Sequence, residues 1–277
     1  MFTLLIPYAH ALSLADDRGQ TVELNLPAQR IIALAPFITE LVYAAGAGSR
    51  LVGVSAYSDY PDAAKNILHI GDAAQVDIER ILELKPDLIV GWRSGSHARE
   101  LTRLEKLGFK VFVMEPLRLS DIPRLLRALG QLAATEQAAQ SAAGDFEHKL
   151  ELLRKRYSHR RPVSVFYEIW HQPLMTVNGA HMISDALQLC GGVNVFAGVR
   201  PLTPIVSIES LLAADPQVII SGVAQEQEWR QFGMLSAVRR QRIFFVPPEW
   251  LGRQSPRILD GAREICQRLD KVRQQAD

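Results

Sequence analysis

Aromatic rings and guanidinium groups are the side chains in this sequence best suited to do chemistry, and the chemistry is binding. Tyr57, Tyr60, Trp92 and Arg93 lie in the first half, and Trp170, His171, Trp250, Arg253 and Arg257 in the second. Each follows an apolar run that reads as a strand, so each falls where a strand gives way to a loop. In open α/β sheets that edge is where ligands sit. Aromatic faces with a few polar groups beside them suit a large, partly apolar ligand. A Trp in a loop beside Gly and Arg can equally pack beneath its own loop.

Two acids and two thiols complete the set. Glu79 and Glu209 each stand in the first turn of a short helix. There a carboxylate ordinarily does no more than answer the helix dipole, worth about 0.3–1 kcal/mol. As a matched pair they could also make a two-pronged contact with arginines of a pseudo-symmetric partner. Cys190 and Cys266 can pair in an oxidising compartment or remain two buried thiols that pack as small hydrophobes.

Catalytic signatures are missing. The sequence has no G-x-S-x-G, no P-loop, no H-E-x-x-H, no G-x-G-x-x-G after a strand and no C-x-x-C. No two histidines are spaced i,i+4, and His69, His97, His171 and His181 stand isolated. A metal cluster held by cysteines would need more than two thiols. The net charge of +1 offers no bulk attraction for nucleic acid.

The elements that must position these groups are organised around a repeat. Val76–Val90 (VDIERILELKPDLIV) and Val206–Ile220 (VSIESLLAADPQVII) align without a gap. Each copy reads as a capping residue (Asp77 or Ser207), a short helix, a proline that ends it (Pro86 or Pro216), and a buried strand. Strand and helix alternate elsewhere too, which indicates parallel sheets with right-handed crossovers. A hairpin is expected over residues 12–27, strands over 30–34, 51–54, 87–90, 110–114, 163–168 and 241–246, and helices over 39–45 and 97–107. Further helices are expected over 185–190 and 258–274.

From Ser120 to Arg160 strand signals vanish. Asp121 caps one expected helix and Thr135 a second, which runs to about Ser158 with Ala138, Ala139, Ala142, Phe146, Leu150 and Leu153 as its apolar stripe. Such a helix is roughly 35 Å long. The expected fold is therefore α/β, with two Rossmann-like lobes joined by one long backbone helix. The N-terminal lobe covers 12–119, linking helices 120–160 and the C-terminal lobe 161–277. Residues 1–11 read as the remnant of an export signal, because the apolar run Phe2–Tyr8 precedes a small-residue site at Ala9-His10-Ala11. A basic segment is missing from it, so the true start of the signal is expected upstream.

In this order the motifs resemble a known family. They are Pro27-Ala28-Gln29-Arg30 leading into Ile31–Pro36, Thr39-Glu40-Leu41, Val52-Gly53-Val54, Gly71-Asp72, Val76–Ile81 and Lys85–Ile89. Together they are similar to the helical-backbone, cluster-A periplasmic binding proteins of ABC importers, which carry cobalamin, iron siderophores or haem. Tyr57–Pro61, Trp92-Arg93, Cys190-Gly191-Gly192 with Asn194 and Phe196, and Trp250 with Ser255-Pro256-Arg257 resemble the cobalamin carriers most. Those carriers have a Trp in the loop corresponding to Gly71–Gln75, and this chain does not.

The resemblance implies a periplasmic monomer without catalysis or cofactor, delivering vitamin B12 to the permease dimer of an inner-membrane ABC importer. A siderophore or haem is the alternative ligand. It places Tyr57, Trp92 and Trp250 on the corrinoid. The strand-edge reading adds Arg93, Trp170 and Arg253. It also implies a Cys190–Cys266 disulfide and docking of Glu79 and Glu209 on permease arginines.

Overall fold

The computed structural model describes residues 12–72, 75–96, 98–223 and 226–275; the expected signal segment, residues 1–11, lies outside them. Apolar runs and capped helices alternate as strands and helices. The strands are β1 (Leu12–Ala15), β2 (Thr21–Leu24), β3 (Ile31–Ala33), β4 (Leu51–Val54), β5 (Leu88–Trp92), β6 (Val111–Met114), β7 (Val163–Glu168), β8 (Gly192–Asn194), β9 (Val218–Ser221) and β10 (Ile243–Phe245). The helices are α1 (Pro36–Ala44), α2 (Ile78–Leu84), α3 (Ala98–Lys106), α4 (Asp121–Leu132), α5 (Glu136–Tyr157) and α6 (Met182–Leu189). They continue as α7 (Ile208–Ala214), α8 (Glu226–Trp229), α9 (Ser236–Arg239), α10 (Pro248–Leu251) and α11 (Ile258–Gln274).

Internal contacts divide the chain into two units, Met1–Glu115 with Pro123–Gly144, and Pro116–Ile122 with Asp145–Asp277. The first holds the antiparallel β1–β2 hairpin and a parallel sheet in the order β4-β3-β5-β6. The second holds a parallel sheet in the order β8-β7-β9-β10. The two orders correspond strand for strand. Helix α5, 22 residues and so about 33 Å long, contributes its first part to one unit and its remainder to the other.

The sequence repeat explains why the sheets match. Asp77 accepts the Arg80 N–H at the start of α2, and Ser207 accepts the Ser210 N–H at the start of α7. Both helices end on a left-handed residue, Lys85 (φ 46°) and Asp215 (φ 35°), before the proline. The side chain after each proline then fixes the register of the strand it precedes. Asp87 accepts the N–H groups of Gln29 (2.8 Å) and Arg30 (3.0 Å). Gln217 accepts that of Ser164 (3.1 Å) and donates its own N–H to the Ser164 hydroxyl (2.9 Å). Leu88 thereby starts opposite Ile31, and Val218 opposite Val165. Burial of Ile32, Ile81, Ile89, Leu104 and Val113 closes the first core, and of Phe166, Leu211, Ile219, Trp229 and Leu235 the second.

Several local expectations shift. β8 sits where a loop was expected, because a strand opening on glycine has no apolar alternation to announce it. Helix α1 begins at Pro36, whose fixed φ suits a first turn. β5 continues to Trp92 rather than ending at Val90. The Thr135 hydroxyl does not cap α5; it donates to the Ala45 carbonyl (2.7 Å). Along α5 the buried stripe is Ala139, Ala143, Phe146, Leu150, Leu153 and Tyr157, while Ala138 is exposed and Ala142 half-buried.

Helix α6 is fixed at both ends. At its start the His181 imidazole accepts the Ile183 N–H through Nδ1 (3.1 Å). Burial pushes that ring's pKa down to about 4. At its end Cys190 is bonded to Cys266 of α11, closing a sequence separation of 76 residues. Deleting the bridge with C190A/C266A should lower stability by about 2–4 kcal/mol, read as a drop in the urea midpoint. The histidine has the opposite sign from a salt-bridged one. The unfolded chain takes up its proton near the ordinary value and the folded chain only near 4, so stability falls as pH falls through that interval. Between pH 7 and pH 5 the loss should be on the order of 2 kcal/mol, and H181N, which keeps a capping side chain, should remove this component in urea titrations.

Candidate functional site

In the first unit the loop after β4 is held from beneath by hydroxyls. Ser55 N–H donates to the Ala33 carbonyl (2.9 Å), Thr39 Oγ1 donates to Ser58 Oγ (3.1 Å), and the Ser55 and Ser58 hydroxyls meet at 3.3 Å. All three side chains are buried. Between them Tyr57 takes a left-handed backbone conformation (φ 65°) and is 78% exposed. A non-glycine residue in that region costs about 1–2 kcal/mol, so the buried hydroxyls hold the tyrosine outward against strain.

Trp92, the last residue of β5, is half-buried. Its ring meets Phe37 edge-on at 5.3 Å. A Cβ on Gly95 would lie 1.8 Å from a Trp92 ring carbon, so the loop covers the ring only because residue 95 is glycine. Ser96 Oγ accepts the Trp92 N–H (3.1 Å), and Glu115 accepts that of Ser94 (2.9 Å). This tryptophan therefore packs partly under its own loop. Arg93 beside it is exposed, with one guanidinium nitrogen 3.5 Å from the Asp17 carbonyl.

In the second unit the strands end in register at Glu168, Ser221 and Phe245. The arc after β7 is closed by Ile169 N–H to Met175 O (3.0 Å) and Met175 N–H to Trp170 O (2.9 Å). Trp170 is 57% exposed, and its indole N–H donates back to Gln172 O (2.9 Å). Its only polar atom is satisfied, and the ring offers an apolar face. Trp250 is half-buried in α10, which lies close on α11 at Gly261, where an added Cβ would be 2.6 Å from Leu251. Arg253 is half-buried and engaged within the chain, and Arg257 donates to Glu249 O (3.2 Å). Among the described residues no three of His, Cys, Asp and Glu gather to hold a metal.

Glu79 and Glu209 occupy the same place in the two copies of the repeat, both exposed in a first helical turn. The backbone N–H of Glu209, and next the Ser207 hydroxyl, hold its carboxyl below the usual range. A surface hollow of about 650 Å³ brings Glu79, Arg80 and Arg103 together with Ala56, next to Tyr57, and with Gly71.

Sequence reading missed one cluster. His171 Nδ1 lies 2.6 Å from Glu168 Oε1, its Nε2 lies 2.5 Å from Glu228 Oε2, and Trp229 Nε1 donates to Glu168 Oε2 (3.1 Å). The local signal was a carboxylate closing the apolar run Val163–Glu168, but the partners on α8 are remote in sequence. The arc, α8 and the strand ends all belong to the second unit.

Comparison with known proteins gives a consistent result. Residues 31–248 match the family model described as periplasmic binding protein. The vitamin B12-binding protein of Vibrio cholerae is 40% identical over 90% of this chain and 92% of its own length. The crystal structure of the periplasmic vitamin B12 binding protein of the same species superposes with a TM-score of 0.85, at 39% identity, covering 90% of this chain and 99% of the other. A periplasmic heme-binding protein from Roseiflexus sp. RS-1, in apo form, shares the fold with a TM-score of 0.78 at 21% identity, over 88% of this chain and 99% of that one.

Proposed function

The chain belongs to the periplasmic binding protein family, and we propose that its ligand is a corrinoid of the vitamin B12 type. It is a periplasmic substrate-binding protein and not an enzyme, in keeping with its relatives, and it serves an ABC importer. The observation that carries the ligand reading is the presentation of Tyr57 and Trp170. Both are large rings that folding leaves exposed at strand ends, each in a loop pinned by its own hydrogen bonds. A corrinoid is a broad macrocycle with amide arms, so ring contact supplies affinity and nearby polar groups supply orientation.

In this reading Tyr57, Trp92, Arg93, Trp170, Trp250 and Arg253 contact the ligand. Trp92 offers the part of its ring that Gly95 and Phe37 leave uncovered, so its contribution is smaller than that of Tyr57. The protein acts as a monomer, and Glu79 and Glu209 dock on arginines of the permease dimer. Their equal standing in the two repeat copies supports that pairing. No catalytic group or cofactor is required, because the ligand is released unchanged.

Titrating cyanocobalamin into the protein should give saturable binding at micromolar concentration or tighter, about −8 kcal/mol or more favourable. Absence of binding there removes the corrinoid assignment. Y57A should weaken binding by about tenfold or more. E79A/E209A should keep the ligand affinity of the wild type and lose association with permease in proteoliposomes; undiminished association would refute the docking role.

A further inference from the structure

Glu168 is 1% exposed at the end of β7. A carboxylate this deep is costly unless its oxygens are satisfied, and here each oxygen has one donor group. Oε1 faces His171 Nδ1 at 2.6 Å and Oε2 accepts the Trp229 indole N–H at 3.1 Å. The other nitrogen of His171 faces Glu228 Oε2 at 2.5 Å. Both ring nitrogens are therefore committed, one to the strand end and one to α8. The ring also packs edge-on against Trp229 (5.7 Å between centroids, 88°), which is itself buried against Phe166.

His171 thus ties the Ile169–Met175 arc to two elements of the core. Backbone bonds hold the arc at its mouth, through Ile169, Trp170 and Met175, and through the Leu174 carbonyl, which accepts the Val206 N–H (2.9 Å). Trp170 stands at that mouth, and its ring is 57% exposed. A loose arc would have to be ordered by the ligand, and ordering a rotamer-rich side chain and its loop weakens binding. An arc already fixed presents the ring at no such cost.

We propose that His171 is a positioning residue for Trp170: clamped between Glu168 and Glu228, it preorganises the arc that presents the Trp170 ring. Its effect on affinity rests on the reading of Trp170 as a ligand contact, whereas its effect on the arc does not. The role is one of geometry, since His171 itself is largely covered and touches the ligand through its neighbour alone.

The test uses the full chain and two readouts. The first is the ¹⁵N relaxation of the Trp170 indole N–H, assigned with W170F, in the absence of ligand. An order parameter near 0.85, as in rigid backbone, should fall below about 0.6 in H171A/E168Q, which removes the clamp without stranding a buried charge. E228A, at the exposed end of the clamp, should move it in the same direction by less. Unchanged order in both variants overturns the proposal.

The second readout is cyanocobalamin affinity. H171A/E168Q should weaken it about tenfold, and the same change in a W170A background should weaken it by less than about twofold, as coupled residues do. Two losses that simply multiply would show that His171 does not act through Trp170 and would also overturn the proposal. If the wild type fails to bind cyanocobalamin while the indole loosens in the variants, positioning stands and the corrinoid reading falls.

Discussion

Strand register at the start of β5 and β9 is the constraint on which the rest of each unit depends. A parallel strand has no hairpin to set its alignment, and a slip by one residue would exchange the side chains packed on its two buried faces. Here a single side chain after a proline sets it in each unit, Asp87 against Arg30 and Gln217 against Ser164. With the beginnings locked, the ends follow. Glu168, Ser221 and Phe245 finish level, and so do Trp92 and Met114. The loops after β4 and β7 hold the exposed rings of Tyr57 and Trp170.

Presentation of those rings costs stability and is offset locally. Tyr57 sits at a strained backbone angle, and the hydroxyls of Thr39, Ser55 and Ser58 secure the turn beneath it. Trp170 has its one polar atom tied to Gln172, and its arc is clamped by His171. Trp92 resolves the two readings open to a loop tryptophan on both sides at once. Its backbone completes a strand and part of its ring is covered by Phe37 and by Gly95, yet the residue remains half-buried. At this position the chain passes from core to surface within one residue.

Much of the fold was legible because its signals are local. Caps, prolines and the run of Leu, Ile and Val in each repeat are decided within a few residues, and the two copies fold alike. β7 and α11 also match the pattern that announced them. β8 was not legible, since Gly192-Val193-Asn194 gains its strand character from pairing with β7 alone. Thr135 looked like a cap, but tertiary contact with Ala45 outweighed the local option. Among the residues proposed for the site, the position of the aromatic set at strand ends follows from its place after apolar runs. The tie between His171 and Glu228 could not, because nothing short-range relates the arc after β7 to α8. The paired cysteines lay between these cases: composition left two outcomes open, and the close approach of α6 and α11 decides between them.

The same geometry bears on the class of ligand. An anionic chelate would be served by arginines. Arg93 after β5 is exposed, while Arg257 in the second unit donates to the Glu249 carbonyl. Besides Arg93, the strand ends expose ring surface: Tyr57 in one unit and Trp170 in the other, with Phe245 beside the latter's strand end. Uncharged faces of that size favour a broad ligand whose own surface is largely neutral, since desolvating a carboxylate-rich guest against them would leave its charges unanswered.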